Sequence, residues 1–283
     1  MSEGTTLLGG RGFLEAPRWH AGELWFSDFF SRRVSSIDES GMLTDRVYVP
    51  GQPSGIGFCP DGTVLIVSRH EGHVIRWDGH RKSVLADVGA TYRVRLNDMV
   101  VDHLGRAYIS TSPVPIIGNS VVNTPPEHRL PIIFVDETGQ VTIAAEDLQI
   151  ANGMVITPGG QTLIAAETHG SRLLTFDVAA DGTLSNKRTF ADLGGRKPDG
   201  ICLDANGNVW VGSFITSEFV LVEEGGRVLR VIPTPGRWAV ACALGGSDGR
   251  TLYGLTARIT IEEFLDGRGE GAIEAFPVEV AAA

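Results

Sequence analysis

Lys197–Phe214 reads KPDGICLDANGNVWVGSF, and Ile150–Thr168, IANGMVITPGGQTLIAAET, has the same outline. Each begins with an oxygen-bearing side chain followed by glycine (Asp199–Gly200, Asn152–Gly153). An apolar run comes next, then a glycine-containing turn, then a run of strand-forming residues. The outline recurs along the chain. Turn glycines stand at Gly22, Gly62, Gly105, Gly160, Gly207 and Gly249, separated by 40, 43, 55, 47 and 42 residues. Strand-like runs follow them: ELWFSDF from 23, TVLIVSR from 63, RAYISTS from 106, TLIAAET from 162, NVWVGSF from 208 and TLYGLTA from 251. Further on in the first five units a third run closes on an acid: SSID, IRWD, IFVD, LTFD and VLVE; the sixth has EAFP instead.

Six units of this period predict an all-β six-bladed β-propeller with four-stranded blades, residues 1–283 forming a single domain. A β-sandwich has similar turns but no forty-residue period. The last unit supplies only three strands, in WAVACALGG, TLYGLTA and AIEAFPVEV. TTLLGG from Thr5 is the expected fourth, so that pairing of the N- and C-terminal segments closes the ring. The one helical signal is TIEEFLDG, where Thr260 and Glu263 have capping-box spacing.

Bulk composition narrows the partners. A formal charge of -10 speaks against nucleic acid and against an anionic membrane surface, both of which call for clustered Lys and Arg. Apolar runs are strand-sized, short of a membrane span. The opening MSEGTTLLGGRGF lacks the basic-then-apolar order of a secretory leader. Cys59, Cys202 and Cys242 make an odd, sparse set without a CxxC, which suits reduced, buried thiols and a cytoplasmic location.

Counting eight residues back from each turn glycine reaches Ser54, Asn97, Asn152, Asp199 and Ala241; seven back from Gly22 reaches Glu15. In a propeller this position lies where the chain enters the innermost strand, so its members face one another at one mouth of the channel. Glu15, Asn97, Asn152 and Asp199 then supply two carboxylates and two amide carbonyls. Carboxylates gathered without a cation repel. A hard divalent ion relieves them: Ca²⁺ first, with Mn²⁺, Mg²⁺ or Zn²⁺ as alternatives. Singly, Asn-Gly and Asp-Gly are ordinary turn dipeptides. Four oxygen donors in one repeat column, one of them a glutamate, are not.

These segments resemble the SMP-30/gluconolactonase/luciferin-regenerating-enzyme-like family of six-bladed propellers. The likeness rests on EAPRW at 15, RLNDMVVDHLG at 95, IANGMVITPGGQTL at 150, PDGICLDANGNVWV at 198 and ACALGGSDGRTLYGLTA at 241. It implies Glu15, Asn152 and Asp199 as metal ligands, with Asn97 joining them directly or through substrate and water. It also implies Arg95 as a substrate-binding arginine. Asp98 is a further candidate, for substrate or for holding the loop. Met99 stands where the family has glycine, which places a larger side chain beneath the ring.

A divalent ion in such a ring polarises a lactone carbonyl, and a carboxylate takes the proton of attacking water. Asp199 is the first choice of base and Glu15 the second. The expected activity is metal-dependent opening of a small-molecule lactone to a hydroxy acid. The insertion at 112–131, with its apolar Pro113, Val114, Ile116 and Ile117, suggests a substrate less polar than a sugar lactone. Two rivals stay open: hydrolysis of an organophosphate or other ester, and a non-enzymatic ligand-binding propeller with a structural ion. His70 and His169 are weaker candidates for lining the mouth. No GxSxG elbow, Cys–His signature or phosphate loop is present. Oligomeric state is not readable from the residues.

Overall fold

A computed structural model describes residues 4–112 and 129–283. Residues 113–128 lie outside it, and with them the apolar 113–117 stretch on which the less-polar substrate was argued. The described residues form six four-stranded antiparallel sheets. Within the first five, the strands lie side by side in chain order. The leading strands are Leu14–His20, Pro53–Phe58, Arg95–Val101, Ala151–Ile156 and Pro198–Leu203, and Trp238–Gly245 completes the set. These six touch one another in a closed circuit, so they are the inner wall of a six-bladed propeller.

The sixth blade is assembled from both ends of the chain. Thr5–Arg11 pairs antiparallel with Glu270–Pro277, giving the expected fourth strand. The capping box also forms: the Thr260 side chain accepts the Glu263 amide at the start of a helix spanning Ile261–Leu265. Among the described residues no helix is long and apolar enough to cross a membrane.

The turn glycines recur because of backbone geometry. Gly207 (φ +82°) and Gly105 (φ +81°) occupy the left-handed region, which a side chain disfavours. An aspartate fixes the same turns from the other side. Asp204 Oδ1 accepts the backbone N–H groups of Asn206 (2.9 Å) and Asn208 (2.8 Å), and Asp102 does the same for Leu104 and Arg106.

Each interface between neighbouring blades is a separate apolar cluster. Leu65, Val67 and Val74 of the second blade meet Leu96, Met99 and Ile109 of the third. Trp210 and Phe219 of the fifth meet Cys242, Leu252 and Phe276 of the sixth. Met99 is therefore committed to the seam between blades two and three rather than lying beneath the ring, as its replacement of a glycine had suggested. The ring closes on apolar packing between neighbouring blades.

Near the axis the inner strands come closer than a β-carbon permits. A Cβ on Gly153 would lie 2.7 Å from the Asp199 carbonyl oxygen and 2.8 Å from both Gly200 Cα and Ile201 N. All three are backbone atoms, which cannot swing away. Gly153→Ala is expected to destabilise the fold by about 1–3 kcal/mol through overpacking. The check is a lower urea midpoint at unchanged slope; an unchanged midpoint would show that the fourth and fifth blades can separate freely.

Candidate functional site

Each of the six inner strands carries one extra residue against its neighbour. The ladder slips between Glu15 and Arg18, Pro53 and Ile56, Leu96 and Met99, Ala151 and Met154, Pro198 and Ile201, and Ala239 and Ala241. Such bulges re-aim side chains out of the sheet's alternation. Asn97, Asn152 and Asp199 are the first bulged residues of their strands, which is why this column faces the axis. Ser54 sits at the same place in the second blade, and its carbonyl accepts the Ser27 hydroxyl at 2.6 Å.

Glu15 reaches the column from a different register. Its hairpin turns in two residues, Ala21 and Gly22, where the fifth blade uses the five residues 204–208. Aligned on the bulge, Ala16 holds the place of Asp199, and Glu15, paired with Ser27, stands one residue outside it. The extra methylene of glutamate spans the difference. Its carboxyl feels Asp199 electrostatically even so.

The four predicted donors lie on one ring. Glu15 (8% exposed), Asn152 (5%) and Asp199 (8%) are buried and Asn97 is half-buried. Asn97 Nδ2 donates to Asn152 Oδ1 at 2.9 Å, and Asn152 Nδ2 donates to Thr168 Oγ1 at 3.4 Å. The Thr168 hydroxyl in turn donates to the Pro198 carbonyl at 2.7 Å, tying the fourth blade to the strand that carries Asp199. The amide of Asn152 also steadies the Asp199 carboxylate.

The charges are poorly served by the protein alone. Burial, with repulsion from Asp98, pushes the Asp199 carboxyl up to about 8. Burial, then repulsion from Asp199 and Asp98, raises Glu15 well above the usual carboxylate range. No lysine, arginine or histidine lies within 4 Å of either carboxylate among the described residues. Among those residues, too, no three His, Cys, Asp or Glu side chains converge on one point. What the ring presents is two carboxylates and two amides, an all-oxygen set suited to a hard cation.

Asp98 and Arg95 stand apart from the four donors and from each other. Asp98 (5% exposed) pairs with Arg18 Nη2 at 3.2 Å and accepts the Met99 amide at 2.7 Å. Arg18 also donates to the Met99 carbonyl, and it lines a cavity of about 300 Å³ at the opposite end of the channel. Cys202 and Cys242 line that cavity as well, unbridged, with sulfurs 3.7 Å apart. Arg95 instead lines a cavity of about 420 Å³ beside the ring, with Arg32, Gln52, Arg69, His70 and Phe29.

Arg69 was not anticipated from the sequence. It follows the second strand of its blade, stacks on Phe29 with 5.5 Å to the ring centre, and exerts an opposite charge on Glu15. No repeat signal marks it, since Phe29 and Phe214 follow the second strands of the first and fifth blades. His70 lines the same cavity; His169 does not.

A six-bladed propeller with an acidic, oxygen-rich ring at one mouth is thus the class that fold and site define. The chain belongs to the SMP-30/gluconolactonase/LRE-like family, whose defining region matches residues 13–258. It is 26% identical over 277 residues to a 6-deoxy-6-sulfogluconolactonase of Pseudomonas putida, covering 94% of this chain and 91% of that one. Its fold superposes on a luciferin-regenerating enzyme with a TM-score of 0.82 at 19% identity, over 98% of this chain and 95% of the other. A calcium-binding regucalcin of Agrobacterium tumefaciens gives 0.79 at 20% identity, over 99% and 95%. At these identities the two structures speak for the fold alone.

Proposed function

We propose that this protein is a divalent-metal-dependent lactone hydrolase, acting in the cytoplasm on a small cyclic ester. One observation carries the reading: two carboxylates buried on one ring with two amides and without an ion-pair partner among the described residues. Burying unpaired charge is costly. The ring therefore fits a divalent cation, held by Glu15, Asn152 and Asp199 with Asn97 beside them. Calcium suits the all-oxygen donors best. Such a cation, when bound, supplies Lewis-acid polarisation of the ester carbonyl and charge stabilisation as the oxyanion develops.

The remaining work falls to side chains. With a cation on the ring Asp199 would stay ionised at neutral pH, and its carboxylate accepts the proton of an attacking water. The hydrogen bond from Asn152 fixes which way that carboxylate points. Glu15 balances charge and stands second as base. Arg95 orients the substrate with its planar fork of donors. The proton taken by Asp199 passes to the departing ring oxygen, and a hydroxy acid leaves.

The likeness to the 6-deoxy-6-sulfogluconolactonase of Pseudomonas putida supports this reaction class. The test is hydrolysis of a panel of sugar lactones and aliphatic γ- and δ-lactones by the metal-supplemented protein, followed by proton release. Turnover of at least one lactone well above the solution rate is expected. Inactivity on every lactone, with turnover of an aryl or phosphate ester, would replace the reaction class.

A further inference from the structure

Beside the acidic ring lies a patch of the opposite sign. Arg32, Arg69 and Arg95, with His70, line the 420 Å³ cavity whose apolar wall includes Phe29, Phe30 and Phe264. Among the described residues no acid lies within 4 Å of any of the three guanidiniums. The one acid lining this cavity, Asp266, is paired with Arg268 at 2.8 Å. Glu71 and Asp87, across the shared wall in an adjoining cavity, are engaged by the Ser68 hydroxyl and by the Ala90 amide.

Arg69 is the anchor. It is 7% exposed, and among the described residues its guanidinium makes one hydrogen bond, from Nη1 to Gln52 Oε1 at 3.3 Å; its Nε is buried without a partner. Burial and the charge of Arg95 press its proton affinity down to about 10, and burial, then Arg69, Arg95 and Arg32, disfavour the charged form of His70. A buried guanidinium with unfilled donors, facing a cavity and repelled by its neighbours, lacks an anion. Glu15 acts on it as an opposite charge but makes no ion pair with it among the described residues.

We propose that Arg69, Arg95 and Arg32 form an anion subsite beside the reacting centre. The substrate then carries, apart from the ester being opened, a fixed negative group: a carboxylate, sulfonate or phosphate. The cation ring and the arginine subsite divide the ligand between them, ester at the carboxylates and anion at the guanidiniums. What the anion is attached to rests on the lactone-hydrolase reading; the subsite itself rests on the arginines.

The experiment separates the two. Calorimetry on the metal-supplemented full-length protein at low ionic strength compares glucose 6-sulfate with glucose, neither of which is a lactone. The sulfate ester is expected to bind at least about tenfold more tightly, as one or two charge-assisted hydrogen bonds would give. Arg69→Met and Arg32→Met should each cut that preference several-fold, leave the weak glucose affinity alone, and Arg69→Lys should restore part of it. Arg32 is exposed and is not among the charges acting on Glu15, so its variant keeps the test sound if Arg69→Met fails to fold. No preference in the unmodified protein, or an equal preference in both methionine variants, overturns the subsite. If Arg69 serves only as counter-charge to the ring, its loss shifts metal affinity, Arg32→Met does nothing, and the subsite is again overturned. Selective binding of the sulfate ester without turnover of any lactone would sink the hydrolase reading and leave the subsite standing.

Discussion

Asp199→Asn is expected to lower kcat/KM for lactone hydrolysis by roughly 10³-fold, within the range spanned by loss of a general base. The amide keeps the shape of the carboxylate and can still offer an oxygen to a cation. What it lacks is any capacity to take a proton from water. The fold should be undisturbed or slightly firmer when metal-free, because the substitution removes one of the buried, mutually repelling charges. Thermal unfolding of the variant in chelator would show this as a midpoint no lower than that of the parent. Glu15→Gln is the informative partner: as ligand and counter-charge it should cost less in turnover but more in metal affinity. If Asp199→Asn retained activity within tenfold, the proton would have to go elsewhere and Glu15 would become the leading base.

Much of this was open to reading because the propeller writes its geometry periodically. Gly105 and Gly207 mark turns that require a left-handed backbone, so the strand that precedes each could be aligned without any structure. That alignment delivered Asn97, Asn152 and Asp199 together. Glu15 was found too, but the shift that found it had a different physical origin. Its short hairpin and its place outside the bulge only become visible once the ladder is drawn. Other features escape a repeat-based reading because they join unlike positions. Arg18 and Asp98 are 80 residues apart and meet across the channel. Arg69 has no chemical equivalent at the end of the other second strands: Phe29 and Phe214 stand in corresponding places. Met99 misled in the other direction. A bulky residue replacing a glycine near the ring suggested a plug, but it packs into a seam, where Gly55 makes room for its backbone.

Stripping the protein with chelator is expected to abolish hydrolysis, and adding back Ca²⁺, Mn²⁺, Mg²⁺ or Zn²⁺ singly should restore it to different degrees. The same experiment has a readout free of catalysis. In the metal-free protein the native carboxyls of Glu15 and Asp199 hold their protons more tightly than the unfolded chain does, Asp199 up to about 8 against an ordinary value of 3.8. Between those limits the folded state binds more protons than the unfolded one, so stability must fall as pH rises. Below about pH 4 both states are protonated and the penalty is absent; above about 8 the share due to Asp199 is present in full. Bound divalent cation cancels the repulsion and adds stability in proportion to the logarithm of its concentration over Kd. Melting curves from pH 5 to 8 should therefore drop steeply in chelator and stay nearly level in millimolar Ca²⁺, the two diverging most at the alkaline end. Parallel curves would mean that these carboxylates are not the cation's ligands, whichever ion supports turnover. Divergence without any dependence of turnover on the ion would give the ring a structural role and pass the chemistry to Asp199 and the arginines alone.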